Sequence, residues 1–237
     1  MNRSRQSRPC MWLAGAWLAI GSLLAIPTAA QTPPTASEAA GYRDLHAAAH
    51  RGDLATIERL GTNKAALEER DGHGRTPLHV ATFARQRAAI GALARAGADL
   101  SALENDRYDA VTIASVADDE ETLRVLLRLG ASAKLITSRY DGTALIAAAH
   151  LGHAGVVRQP IAAGAPLDHV NNLHWTAVIE SIVLGDGGKN HTDTLAALVR
   201  AGANLGIADR QGASPLALAR QRGYADMVRI LSEAGAR

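Results

Sequence analysis

The sequence predicts an all-α repeat solenoid, and three observations support that fold class. A segment similar to Ala-Gly-Ala recurs at separations of 33, 34, 38 and 33 residues, around Gly97, Gly130, Gly164, Gly202 and Gly235. A second marker, clearest as TPLHVA at residues 76–81, recurs in the same phase. The 237 residues are 47% hydrophobic but only 3% aromatic, so the core must consist of Ala, Leu, Val and Ile in closely packed helices. Self-similarity at this period is the signature of a solenoid.

The two markers define about six repeat units. For each unit we predict a first helix at the TPLHVA-like marker, a turn, a second helix that ends at the Ala-Gly-Ala segment, and a connecting finger. Because each unit buries its apolar face only against its neighbours, we expect stability to be near-additive along the stack. The units span residues 38–70, 71–103, 104–137, 138–170, 171–208 and 209–237.

The first helix of most units has a clear start signal. Thr, Ser and Asp side chains accept hydrogen bonds from the first free N–H groups of a helix, and Pro fits the first helical turn. The first unit has Arg43-Asp44 at this position, a degraded form that suits the solvent-facing end of a stack. In the other five units we expect helix caps at Thr76, Asp109, Thr143, Thr176 and Ser214.

Three places depart from the regular repeat. One residue is added in the finger around residues 135–140, and residues 185–193 (GDGGKNHTD) lengthen the turn between the helices of the fifth unit by five residues. Pro160 stands where other units carry Leu, Ala or Ile in the second helix. Since an interior Pro costs a helix ~3 kcal/mol, we expect a kinked or shortened helix there.

The second and last units carry a family resemblance. Residues 71–100 (DGHGRTPLHVATFARQRAAIGALARAGADL) and 209–236 (DRQGASPLALARQRGYADMVRILSEAGA) resemble the ankyrin repeat family. The resemblance covers residues 41–237. It implies a right-handed stack of helix pairs, each pair followed by a β-turn finger, and a concave surface formed by the fingers and the first helices. It also implies that His46 and His79, at the TPLH position, bond to loop backbone.

The first thirty residues have the features of a signal peptide. Residues 1–10 carry Arg and no acid, residues 11–26 are apolar, and Thr28-Ala29-Ala30 supplies small residues before Gln31. We predict cleavage near Ala30; the alternative is an uncleaved anchor, although sixteen apolar residues fall short of the ~20 that span a bilayer. The mature protein is expected in the periplasm or outside the cell, without membrane insertion, and residues 31–40 (QTPPTASEAA) are predicted to form a flexible linker.

Charge and cysteine content exclude several function classes. Without Arg3, Arg5 and Arg8 the chain has 22 basic and 23 acidic residues with both signs interspersed, which argues against a nucleic-acid binder. The only cysteine is Cys10, so the mature chain has no disulfide, no zinc site with Cys ligands and no cysteine nucleophile.

No motif indicates catalysis, a metal or a cofactor. The pairs His46/His50 and His150/His153 have helical spacing, but no third ligand is evident. Residues 185–189 (GDGGK) lack the Ser or Thr and the preceding strand of a phosphate loop, so a surface insertion is the simpler interpretation. The acidic residues 118–121 are explained by a helix N-terminus. We therefore predict that the protein is not an enzyme.

Once these classes are excluded, binding of another protein is the function class that the sequence favours. The positions of the aromatic residues indicate where the partner binds. Phe83, Tyr108, Tyr140 and Trp175 all map to finger or concave positions, although each could instead cover a neighbouring finger. The predicted binding residues are Arg75, Phe83, Asn105, Asp106, Tyr108, Arg139, Tyr140, His150, Asn172 and Trp175.

The sequence thus predicts a monomeric, non-catalytic module for protein–protein interaction. Two alternatives stay open. The protein could be an immunity or inhibitor protein that blocks a toxin or an envelope enzyme. It could also be an accessory to an oxidative-stress or haem enzyme, in which His46, His50 and His150 would matter.

Overall fold

Helices account for nearly all the regular structure, as the composition predicts. A computed structural model describes residues 31–237, and within that range the only extended pairing is an isolated bridge between Thr137 and Gly142. The helices are α1 (Ala36–Gly41), α2 (Asp44–Arg51), α3 (Leu54–Leu60), α4 (Lys64–Leu67), α5 (Pro77–Phe83), α6 (Arg87–Ala96), α7 (Ala110–Val116), α8 (Glu120–Arg128), α9 (Ala144–Leu151), α10 (Ala154–Ala162), α11 (Ala177–Val183), α12 (Lys189–Arg200), α13 (Pro215–Gln221) and α14 (Ala225–Glu233).

Six helix pairs stack in sequence order. The first helices, here called inner helices, pack side by side in the order α2, α5, α7, α9, α11 and α13. The second helices, here called outer helices, form a parallel row of α3, α6, α8, α10, α12 and α14. One continuous core of Ala, Leu, Val and Ile runs between the rows. The predicted fold class, an all-α repeat solenoid, is confirmed.

Four of the five predicted helix caps make a side-chain hydrogen bond to the backbone of their helix, and the fifth, Thr76, stands at the N-cap of α5 with its hydroxyl bonded to His79 Nδ1 at 2.9 Å. Asp109 accepts a hydrogen bond from the Thr112 N–H at 2.9 Å, and Thr143, Thr176 and Ser214 cap their helices in the same way at 3.3 Å. In the first unit Arg43 makes no side-chain cap, as expected of a terminal unit. The sequence signals therefore locate the start of each inner helix correctly.

Each finger is closed by one polar side chain at a repeating position. Asp71 Oδ1 accepts from the N–H groups of His73 and Arg75, both at 2.9 Å. Glu104, Asn171 and Asp209 accept the same two bonds in later fingers. In the finger between those of Glu104 and Asn171, Ser138 accepts from the Tyr140 N–H at 3.2 Å, and the Thr137 N–H donates to the Gly142 carbonyl at 2.8 Å. The residue before the end of the finger has a positive φ in all five fingers, although only two of the five are glycines. In chain order these residues are Gly74, Arg107, Asp141, His174 and Gly212.

The flexible linker predicted for residues 31–40 is wrong over its second half. Residues Ala36–Gly41 form α1, because Thr35 and Glu38 make a reciprocal capping box: the Thr35 hydroxyl accepts from the Glu38 N–H, and Glu38 accepts from the Thr35 N–H. These bonds from Thr35 hold the pKa of Glu38 at about 2. The segment before the first unit is therefore an ordered part of the stack.

The same segment accounts for a second error, at Arg75. This residue is one of those predicted to bind a partner, which requires an exposed side chain, but its side chain is only 1% exposed. Its guanidinium donates to Asp71 at 2.6 Å, to Glu38 at 2.7 Å and to the Thr32 carbonyl at 3.0 Å, and Tyr42 donates to the same Asp71 carboxylate at 2.7 Å. Arg75 thus fastens the N-terminal segment to the second finger.

Two further expectations require correction. Helix α10 is not shortened: it runs from Ala154 to Ala162 through Pro160, which is buried at the position that Leu93, Leu126 and Leu198 hold in other units. Only residues 185–188 of the insertion 185–193 lie in the turn between the helices, because α12 already begins at Lys189. The insertion is also anchored: His191 donates to the His150 carbonyl at 3.0 Å, and Tyr224 donates to the Gly185 carbonyl at 2.8 Å.

The predicted signal peptide, residues 1–30, lies outside the described residues. Within residues 31–237 none of the helices is both long and apolar enough to cross a membrane.

The buried Arg75 cluster gives a stability prediction with a matched control. Asp71→Asn keeps Oδ1 as an acceptor for the finger, as Asn171 does naturally, but removes a charge that faces a buried guanidinium. Since Glu38 remains, we expect a loss of about 2–3 kcal/mol in the free energy of unfolding, measured with urea. Asp209→Asn makes the same change where Ala213 replaces Arg75, so it should cost less than about 1 kcal/mol. Equal losses for the two variants would contradict the role given to Arg75.

Candidate partner-binding surface

The fingers and the exposed side of the inner helices form one surface, here called the inner surface. Nine of the ten residues predicted to bind a partner lie exposed or half-buried there, and Arg75 does not. Their role in binding stays a prediction. Five of the nine belong to the fingertips, namely Asn105, Asp106, Arg139, Tyr140 and Asn172. Tyr108 and Trp175 each precede the cap of an inner helix, and Phe83 and His150 lie on inner helices.

Hydrogen bonds join neighbouring fingertips into a row. The Asn105 N–H donates to the His73 carbonyl at 3.0 Å, and Arg139 donates to Asp106 at 2.7 Å. The Asn172 side chain continues the row by donating to the Arg139 carbonyl at 2.9 Å. Three of the predicted polar residues, Asp106, Arg139 and Asn172, therefore hold one another in place, and Asn105 is held by His73, so a partner would meet an ordered rim.

The aromatic side chains are half-buried. Trp175 packs against the core, which agrees in part with the alternative that the aromatics cover neighbouring structure. Burial raises the pKa of Tyr108, so its hydroxyl stays neutral at physiological pH. Phe83 and Tyr140 keep an intermediate exposure. Each ring still presents part of its apolar surface to solvent.

A buried carboxylate lies on inner helix α11, beneath the inner surface. Glu180 on α11 is 5% exposed, at a helix position where Val80 and Ile113 stand in other units. Asn171 donates to Glu180 Oε1 at 2.7 Å, and His150 Nδ1 lies 3.4 Å from Oε2. The predicted binding residue His150 is thus oriented by a neighbour that sequence reasoning did not identify.

Sequence reasoning also missed the exposed apolar residues of this surface. Leu151 and Leu184, at the ends of α9 and α11, are 37% and 36% exposed, and Ile136 and Val170 on adjacent fingers are 48% and 40% exposed. A signal for Leu151 and Leu184 was present. Both leucines occupy the repeat position that follows Phe83 in the second unit. This position holds Arg in the first and last units but an apolar residue in the four units between, namely Ala84, Ala117, Leu151 and Leu184.

The TPLH histidines bind loop backbone, as the resemblance implies. His46 Nε2 donates to the Arg75 carbonyl at 2.9 Å, and His79 Nε2 donates to the Ala102 carbonyl at 3.0 Å. The Thr76 N–H donates to His79 Nδ1 at 3.1 Å, so that nitrogen carries no proton and the ring is neutral. Burial accordingly lowers the pKa of His79 to about 4.

Other candidate motifs have structural roles. Asp119, from the acidic residues 118–121, caps α8 through the Thr122 N–H at 3.0 Å and pairs with Arg87 at 3.0 Å. Asp186 accepts from the Gly188 N–H at 2.8 Å. In the part of the chain that the structure describes, no group of three or more His, Cys, Asp or Glu side chains could hold a metal ion.

A bacterial ankyrin repeat protein matches this chain over most of the length of both proteins. The chain is 30% identical over 194 residues to the ankyrin repeat protein YahD of Escherichia coli (strain K12), which covers 81% of this chain and 96% of YahD. The chain belongs to the ankyrin repeat family. No protein-family model matches it.

Solved ankyrin structures agree with this assignment. An ankyrin repeat domain from Acinetobacter baumannii is 43% identical, with a TM-score of 0.75 over 81% of this chain and 98% of that one. A chain in the structure of a predatory endopeptidase from Bdellovibrio bacteriovorus in complex with an immunity protein matches with a TM-score of 0.66 over 81% and 98%. At 23% identity, the latter shows likeness of fold alone.

The neutral His79 makes the stability of this ankyrin stack depend on pH. Its pKa is about 4 in the folded state against 6.5 for the free side chain, so the unfolded chain takes up the proton first. Acidification from pH 7 to pH 5 should therefore cost about 2 kcal/mol through this residue. We expect the destabilisation caused by His79→Gln, measured by urea unfolding, to shrink by that amount over the same pH range. A pH-independent difference between wild type and variant would show that His79 is not buried as a neutral ring.

Proposed function

We propose that this chain is a non-catalytic protein-interaction module that binds another protein through its inner surface. The observation that carries the proposal is the pair of exposed leucines, Leu151 and Leu184, at equivalent positions of adjacent inner helices. Contiguous exposed apolar side chains with a polar rim are typical of protein-binding sites. Here the rim consists of the hydrogen-bonded fingertips.

The surface is prepared for binding before a partner arrives. Each finger is closed by its own polar side chain, and fingertips are bonded to one another across units. Binding therefore costs this surface little conformational entropy, so more of the contact energy contributes to affinity. Tyr108 and Trp175 are the aromatic side chains best placed to act as anchors, since both stand at the base of a finger.

A narrower form of the proposal is an immunity or inhibitor protein that blocks an enzyme. The Bdellovibrio structure, which contains an endopeptidase and an immunity protein, supports it as an example of this fold in such a complex. This form requires one stoichiometric partner with an active site that the inner surface covers.

Capture from an envelope extract tests the proposal. Tagged wild type is compared with Tyr108→Ala/Trp175→Ala and with Leu151→Ser/Leu184→Ser, two double variants on different parts of the inner surface. Because anchors at the centre of an interface contribute about 2 kcal/mol or more each, we expect recovery of the partner to fall by about tenfold or more in both. Circular dichroism and urea unfolding confirm that each variant is folded.

Arg95→Ala is the matched control for this experiment. Arg95 is exposed on outer helix α6, so its loss should leave capture unchanged. A partner that is captured equally by wild type and by both inner-surface variants, or is lost equally with the control, contradicts binding through the inner surface.

We further propose that the protein acts in the periplasm or outside the cell after removal of residues 1–30. The support is the sequence pattern of the leader and the cysteine-free mature chain, which needs no oxidative folding. Expression of the full gene in a Gram-negative host should give a periplasmic product. Amino-terminal sequencing of this product is expected to start at or near Gln31. A cytoplasmic, full-length product would contradict the proposed location.

A further inference from the structure

A small notch lies on the opposite face of the stack, between outer helices α10 and α12. It has a volume of about 170 Å³ and is lined by Arg158, Ile161 and Ala162 of α10 and by Ala197 and Arg200 of α12. Its floor is apolar, and both flanking arginines are exposed. None of these residues belongs to the inner surface.

The repeat register explains why the notch occurs in this place. The residue two before the repeat glycine is Arg95, Arg128 and Arg200 in the second, third and fifth units. The fourth unit has Ala162 at the same position. The missing long side chain opens the space between α10 and α12, and Ala197, one turn before Arg200, does not fill it from the other side.

The two arginines of the notch lack counter-charges within the described chain. Arg158 and Arg200 make no ion pair and no side-chain hydrogen bond between residues 31 and 237, whereas Arg124 pairs with Glu121 and Arg229 with Asp226 and Glu233. Helix α10 contains no acidic residue, and the single acid of α12, Asp193, pairs with Lys189. Two cations on adjacent helices therefore flank an apolar floor with no internal anion.

We infer that the notch binds the C-terminal residue of a partner chain when that residue is apolar. The α-carboxylate lies between the guanidinium groups of Arg158 and Arg200, which present N–H donors that match a carboxylate. The apolar side chain covers Ile161, Ala162 and Ala197 and removes their surface from water.

A free terminus fits these observations better than a polyanion. Nucleic acids bind along continuous basic stripes, and Ala162 interrupts the row of arginines at this position. An acidic surface without an apolar group would leave the floor of the notch exposed. The combination of two donors and an apolar floor thus selects a carboxylate attached to an apolar side chain.

Titration with two small peptides tests the inference. The probe is N-acetyl-Ala-Leu with a free carboxylate, and its matched control is the same peptide with a C-terminal amide. We expect saturable changes in the ¹⁵N amide spectrum of the purified protein, confined to α10 and α12, for the acid and not for the amide. Since charged pairs at a surface are screened by salt, the affinity should fall as ionic strength rises.

Two double variants complete the experiment. Arg158→Gln/Arg200→Gln should weaken binding of the acid at least tenfold, while Arg95→Gln/Arg128→Gln, an equal loss of charge on neighbouring outer helices, should leave it unchanged. All four side chains are exposed, and dispersed amide spectra confirm the fold of each variant. Equal binding of acid and amide, equal effects of the two double variants, or no saturable binding of the acid would each overturn the inference. Capture through the inner surface does not depend on these residues, so the two proposals fail separately.

Discussion

Every unit of this protein can bury its apolar face only against the units beside it, and the rest of the structure depends on that constraint. Inner helices pack against inner helices and outer helices against outer helices. The hydrophobic core is therefore a continuous layer along the stack and not a compact central cluster. Stability in such a stack is the sum of unit and interface contributions.

Within the described residues, helix α1 precedes the first helix pair. A finger precedes each of the later inner helices, and α1 takes that place before the first one. Tyr42 stands one repeat before Arg75 in the register, and both contact the Asp71 carboxylate. This polar junction joins the segment of residues 32–42 to the second finger. It also removes Arg75 from the surface, so that nine of the ten residues predicted to bind a partner stay exposed or half-buried.

The sequence predicted those parts of the fold that depend on local pattern. Helix caps at Asp109, Thr143 and Thr176 follow from residues within one turn, and the unit boundaries follow from the 33-residue period. The burial of Arg75 could not be predicted from the same signals, because its acceptors Glu38 and Thr32 lie 37 and 43 residues away in the chain. The Thr35–Glu38 capping box was a local signal for α1 that the linker interpretation overlooked.

The candidate site was predictable to a similar degree. Positions on the fingers follow from the register, so residues such as Asp106 and Arg139 were placed correctly, although their mutual ion pair joins two units. The burial of Glu180 depends on Asn171 and His150 from other segments, and no local pattern indicates it. The sequence therefore locates the surface, while contacts between units decide which of its side chains are free.

The central claim of this account is that the inner surface is already ordered in the free protein. Native-state hydrogen exchange of the finger amides tests it most directly, above all at Arg75, Tyr108 and Trp175, whose N–H groups donate to the closing side chains. The account predicts protection comparable to that of the neighbouring inner helices, because these amides open only when a unit unfolds. Exchange at the rate of an unstructured loop would contradict it and would mean that the surface forms only upon binding.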